Sequence, residues 1–378
     1  MKKIFFLAAF LGMAGAMSAQ EYKMVVKTND GNKEFKVADV KEVVFREVAG
    51  VYNSAFSEST DLVDIVADAK AANPNNTSLE IELKGVEYTM SAPVVSDGSI
   101  VFKGTSQDET VIKMTGADAT FQLGGSFELS NATVDASASS AALITMSATP
   151  TIEATKNYYV VEDPIKLENV KVTGLTKGIY NDNGVKWAPK ELLINNCVLQ
   201  LATASSGVCA IGQNGFIFDL EITNSTIYET GSAALNYFIR YAGRPKDIDA
   251  TLTQTVVISN STLYNLANGA SQWCNYRMTG QKTNFFTMTE SILCNVGKNG
   301  QITRRFVGSS NNSNNTFKDN CYWFDGAASN ESGYDKTNTA VSVDPQFVDA
   351  ENGDFTVNSE DLQMNRVGDP RWLPEQDL

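Results

Sequence analysis

A short pattern returns seven times along this chain, at residues 127–134, 165–172, 192–199, 220–227, 256–263, 286–293 and 316–323. Each copy alternates apolar and polar residues, reaches a polar turn, and then alternates again. The turn positions are Asn131, Asn169, Asn196, Asn224, Asn260, Glu290 and Asn320, spaced 27 to 38 residues apart. Period-two alternation specifies strands, and a fixed return of this length specifies stacked coils. Asn tolerates the left-handed backbone that a sharp turn between strands requires. Stacked on itself, its amide bonds the coils above and below, although Glu290 interrupts the amide series. After residue 75 no crossover helices separate the strands, and two-residue hairpin turns are scarce. The expectation is an all-β right-handed parallel β-helix (a solenoid) over residues 79–343. About nine coils at one strand spacing each make a rod roughly 40 Å long.

The flanks differ from the repeat. Lys2 and Lys3, the apolar run 4–13 and the small residues 14–19 read as an export signal, residues 1–19, too short to span a bilayer comfortably. Residues 20–50 read as a small β-hairpin unit, with Met24-Val25-Val26-Lys27 and Phe35-Lys36-Val37 around Asp30-Gly31, and a further strand expected at 40–45. Residues 51–78 hold a linker and a capping helix that starts at Thr60-Asp61 and carries Leu62, Val63, Ile65, Val66 and Ala69 on one face. Such a helix covers the open end of a β-helix. Residues 344–378 read as a tail packing on the other end.

Composition narrows the chemistry. There is no histidine in the 378 residues, which removes His general bases, Ser-His-Asp and Cys-His nucleophiles, and His-ligated metals. Losing Lys2 and Lys3 with the leader moves the net charge from −14 to −16. That balance argues against nucleic acid and anionic membrane surfaces. Nothing after the leader is apolar for long enough to cross a bilayer. The five cysteines, Cys197, Cys209, Cys274, Cys294 and Cys321, are an odd number without zinc spacing. Cys197 and Cys321, each following a turn asparagine, are read as equivalent small core residues, with a disulfide as the lesser alternative.

The opening coils, Ile81-x-Leu83-x-Gly85-x-x-Tyr88, Ile100-x-Phe102-x-Gly104 and Thr110-Val111-Ile112, resemble the pectate-lyase-like superfamily of right-handed parallel β-helices. The Asp30-Gly31 hairpin, the Asn-turn coils and the tail Asp344-Pro345-Gln346-Phe347, Gly353-Asp354-Phe355 and Gly368-Asp369-Pro370-Arg371-Trp372 resemble β-helix proteins of Bacteroidetes linked to polysaccharide utilisation. The resemblance covers nearly the whole mature chain. It implies acidic, pectin-like glycans as ligands, lyases with an Arg or Lys base and calcium, hydrolases with clustered Asp, and esterases with two Asp and an Arg. Phe238-Ile239 is similar to an esterase coil, but Tyr237 stands where that coil carries Asp. No triple-Asp pattern occurs.

The candidate ligand-binding residues are therefore aromatic and basic: Tyr237, Arg240, Tyr241, Arg244, Trp273, Tyr276, Arg277, Arg304 and Arg305. Rings stack on sugar faces and guanidinium forks grip carboxylates without a catalytic base. Residues about thirty apart share a face in a stacked coil, so Arg240, Trp273 or Arg277, and Arg305 line one expected groove; the alternative is that they solvate insertion loops. Arg240 and Arg305 are the weak candidates for a catalytic base, and no resident metal is expected. Calcium enters only through Asp349, Glu351 and Asp354 around Gly353, a cluster better read as a turn. The expected function is an exported, non-catalytic polysaccharide-binding protein acting in acidic-glycan capture, in the periplasm, at the cell surface or outside the cell. The alternatives are a polysaccharide lyase with an Arg base and a structural or adhesive surface rod. The long gaps 131–169 and 224–260 hold the insertions where function is expected.

Overall fold

A computed structural model describes residues 23–28, 31–36, 50–202, 209–230, 235–268, 273–276, 284–297, 315–329, 335 and 337–375. The chain divides into two units, 1–47 and 48–378. In the first, strands Lys23–Thr28 and Gly31–Lys36 pair antiparallel, with Thr28 opposite Gly31. A hairpin is expected here, but Gly31, expected in its turn, opens the second strand instead. The expected export signal and the expected strand at 40–45 lie outside the described residues.

The second unit is mostly β, with long parallel sheets and few helices, in a solenoid-like stack of strands. One sheet begins with Gly50–Asn53 and continues through Leu79–Glu82, Ile100–Lys103, Phe127–Asp135, Ile165–Leu175, Glu191–Asn195, Asp219–Thr223, Gln254–Ser259, Asn284–Thr289 and Asn315–Lys318, each parallel to the one before. Its register turns the sequence alternation into stacked columns. Ile81, Phe102, Leu129, Leu167, Ile194, Ile222, Ile258, Met288 and Phe317 lie opposite one another in turn, and all are buried. Burying a side chain of this size stabilises by roughly 1.5–3 kcal/mol, so a register slip of one residue would forfeit the whole column at once.

The turn that closes each copy has the predicted left-handed backbone. Asn131, Asn169, Asn196, Asn224, Asn260 and Glu290 have φ between 47° and 55°. In the last copy the left-handed residue is Asp319 (φ 54°), not Asn320. Asn320 is fully buried, and its amide donates to the Met288 carbonyl at 2.8 Å. Asn320 therefore belongs to the next column, which points inward. There Cys197 N–H donates to Ser225 Oγ (3.0 Å), Ser225 N–H to Ser261 Oγ (3.3 Å), Ser261 N–H to Ser291 Oγ (3.2 Å) and Ser291 N–H to Asn320 Oδ1 (3.1 Å). Each serine hydroxyl donates in turn to the carbonyl two residues before it, at 2.7 or 2.8 Å. The bend leaves buried N–H groups that need acceptors, and these small polar side chains supply them. Cys197 sits in this column, whereas Cys321 pairs with Ile292 in the strand beyond it, so the two cysteines are not equivalent. All five cysteines are free and buried.

Helix Leu62–Ala72 starts where Asp61 Oδ1 accepts from Val63 N–H at 3.0 Å and buries Leu62, Ile65, Val66 and Ala69 in the main core. That i, i+3, i+4, i+7 face closes the first coils, as its sequence predicts. The tail departs from expectation. It lies along the side of the stack rather than on its end, because Val198, Tyr228, Tyr264, Ile292, Cys294 and Cys321 from five successive strands form an apolar strip that it covers. Phe355, fully buried, packs on Tyr228 at 5.0 Å and Tyr264 at 5.5 Å, while Val357, Leu362, Val367 and Leu373 cover Ile292, Cys294 and Cys321.

Candidate functional site

A second parallel sheet runs through Val94–Ser96, Phe121–Leu123, Ile144–Met146, Tyr180–Asn181, Cys209–Gly212, Tyr237–Tyr241 and Cys274–Tyr276. Two of the candidate residues on it face outward: Tyr237 and Arg240 are partly exposed, and the Arg240 guanidinium carbon lies 5.4 Å from the Tyr237 ring centroid. Tyr241 and Trp273 do not join them. Both are buried, Trp273 stacked on Phe238 at 5.1 Å and 19°, because inward-facing positions of a coil are filled by its largest rings. They are core residues and line no outer groove. The Tyr276 backbone pairs with Tyr241, and its side chain lies outside the described residues, as do Arg277, Arg304 and Arg305.

The chain turns after Tyr241, and Arg244 opens a 3-10 turn over Pro245–Asp247. Here a cavity of about 640 Å³ is lined by Tyr158, Gly184, Lys186, Asn214, Ala242, Arg244 and Asp247. Arg244 Nη2 meets Asp247 Oδ1 at 3.2 Å, the Tyr158 hydroxyl donates to Asp247 Oδ2 at 3.2 Å, and Lys186 Nζ lies 5.3 Å from the Tyr158 ring centroid. Tyr158 comes from the long gap before residue 169 and Arg244 and Asp247 from the gap before residue 260. The two long gaps thus contribute Tyr158, Ala242, Arg244 and Asp247, while Gly184, Lys186 and Asn214 come from the gaps of ordinary length between residues 169 and 224. Of the described candidate residues, Arg244 alone lines it. Tyr158, Lys186 and Asn214 were not singled out by their sequence, since they lie outside the repeat and carry no register to align.

Beneath the lining, Asp182 fixes the floor. It is 1% exposed, and its Oδ2 accepts from Asn214 N–H and Gly215 N–H, both at 2.6 Å, while Oδ1 accepts from Gly184 N–H at 3.2 Å. Burial holds its carboxyl above the ordinary value. The three N–H groups and Arg240 oppose that shift without cancelling it. Gly215 permits the close approach, since a Cβ there would stand 1.9 Å from the Trp187 carbonyl oxygen. The segment 181–184 is the turn its sequence predicts, with Asn183 and Gly184 left-handed, and it also bonds the next coil.

Chemically, the cavity offers two cations against one carboxylate, an amide and a phenol. This suits an anionic, hydroxylated ligand. The acidic residues around Gly353 are a turn: Asp349 accepts from the Asn352 amide at 2.8 Å and Asp354 from Thr356 N–H at 3.0 Å. Among the described residues no three His, Cys, Asp or Glu side chains converge on a metal position, and no helix is long and apolar enough to cross a membrane.

Two family models match the chain. Residues 86–230 match a domain of unknown function (DUF4957), which contains Tyr158, Lys186 and Asn214, and residues 256–372 match another (DUF5123), which contains most of the tail. The Arg244–Asp247 turn falls between the two matches. No curated protein matches the chain.

Proposed function

We propose that this protein is an exported, non-catalytic polysaccharide-binding protein of the pectate-lyase-like right-handed parallel β-helix class, acting in the capture of acidic, pectin-like glycans. The observation that carries the reading is the cavity that Lys186, Arg244, Tyr158 and Asn214 line together. In a chain of net charge −14, two cations against the single carboxylate of Asp247, beside a ring at one concave place, favour a carboxylate-bearing sugar. Long-range attraction is absent, so recognition is local and depends on Arg and Lys donors at the cavity itself. Tyr237 and Arg240, on the strand that leads to Arg244, offer a further ring and cation outside the cavity. Asp182 holds the floor in place before ligand arrives, which lowers the ordering cost of binding.

Affinity electrophoresis in gels containing polygalacturonate, beside gels containing neutral dextran, tests the reading. Retardation in polygalacturonate alone is the expected result, and equal mobility in both gels would refute it. An absorbance rise from unsaturated products, with calcium present, would replace capture by lyase chemistry with Arg240 as base.

A further inference from the structure

A second cavity, of about 340 Å³, lies between the tail and the strands it covers. Tyr264, Trp323 and Phe347 line it together with Asp344, Asp349 and Glu351, and among the described residues no Lys or Arg does. The Tyr264 and Phe347 rings stand at 82° to each other with centroids 6.1 Å apart, so they form a corner rather than a stack. Both rings are braced from behind by Phe355, at 5.5 Å and 5.2 Å, which fixes the corner before any ligand enters. Trp323, partly exposed, adds a third ring. No described cation lies over any of the three rings, in contrast to Tyr158, Phe218 and Tyr237.

We infer that this cavity binds an organic cation, a substituted ammonium group held against the three rings. Ring faces attract a cation through their quadrupole, most strongly for Trp, and the interaction grows when water is excluded. Perpendicular rings present more than one face to a single compact group, which suits an alkylated ammonium better than a flat sugar. The carboxylates at the opening add attraction of the same sign. This chemistry is opposite to that of the Lys186–Arg244 cavity, and the inference does not rest on the glycan reading.

Titration calorimetry of the full chain with choline, and with its uncharged isostere 3,3-dimethylbutan-1-ol, tests it. Choline is expected to bind at least tenfold more tightly than the isostere and to quench tryptophan fluorescence. Trp323→Ala is expected to lower choline affinity at least tenfold. Asp349→Asn combined with Glu351→Gln alters only exposed side chains and is expected to lower it severalfold without affecting the fold. Equal binding of choline and the isostere, no choline binding, or unchanged affinity in the Asp349→Asn/Glu351→Gln variant would overturn the inference.

Discussion

Arg371 donates from Nη2 to the side-chain oxygen of Asn196 at 2.6 Å, across 175 residues of sequence. The contact falls where the column of turn asparagines changes. Asn169 donates to Asn131 at 2.8 Å and Asn196 to Asn169 at 3.2 Å, but Asn224 donates instead to Asn195 at 2.9 Å. Arg371 takes the acceptor that Asn224 would otherwise use. It is held there by Asp369, which is 1% exposed and also accepts from Thr226 Oγ1 at 2.8 Å, while Trp372 Nε1 donates to Thr226 Oγ1 at 2.7 Å. The tail motif Gly368-Asp369-Pro370-Arg371-Trp372 is therefore a clasp that fastens the tail to the turns.

Arg371→Ala should destabilise the fold by about 3 kcal/mol, because it leaves the Asp369 carboxylate buried with one ionic partner removed. Asp369→Asn added to Arg371→Ala should recover part of that loss. Urea unfolding midpoints of the two variants check both statements. Equal midpoints for Arg371→Ala and the unaltered protein would show that the clasp adds nothing.

Ser261→Ala should cost roughly 1–3 kcal/mol, since it removes the acceptor of a buried Ser225 N–H. Ser261→Val should cost more, because it adds volume to a packed column as well. Thermal unfolding of both variants gives the comparison. A neutral Ser261→Ala would mean that the inward hydroxyl column is incidental to the bend.

Asp182 links the cavity floor to pH. Its folded carboxyl lies above the ordinary value of 3.8. Between those two values the folded protein binds more protons than the unfolded chain. The contribution of this group is thus fully present below pH 3.8 and is lost as pH rises through the folded value. The difference in urea stability between the unaltered protein and Asp182→Asn should shift against the unaltered protein across that window and stay constant above it. A difference independent of pH, or one shifting the other way, would contradict the assignment.

Much of the fold is legible from Asn-Ser-Thr at 224–226 and 260–262, because a left-handed residue followed by an inward hydroxyl and a strand leaves its mark in three adjacent letters. The last copy is harder to align. Asp319 and Asn320 both tolerate a left-handed backbone, and only the interior space decides which one turns and which one is buried. Tyr241 and Trp273 mislead for a different reason. Strand Tyr237–Tyr241 buries Phe238 and Ile239 in succession, so strict alternation does not assign its faces. The cavity residues Tyr158 and Lys186 lie outside the repeated strand-turn-strand segments, where no repeat predicts what meets what. The clasp was visible as a motif, but its partners Asn196 and Thr226 are set by how the tail folds back along the stack.

The proposed function rests on recognition of a carboxylated sugar by Lys186 and Arg244. Calorimetric titration with trigalacturonate at low salt, for the unaltered protein and for Lys186→Ala combined with Arg244→Ala, tests it most directly. Saturable binding is expected that weakens with added salt and falls at least tenfold in the double variant, while the free energy of unfolding changes by no more than about 1 kcal/mol. Undiminished affinity in a folded double variant would contradict it.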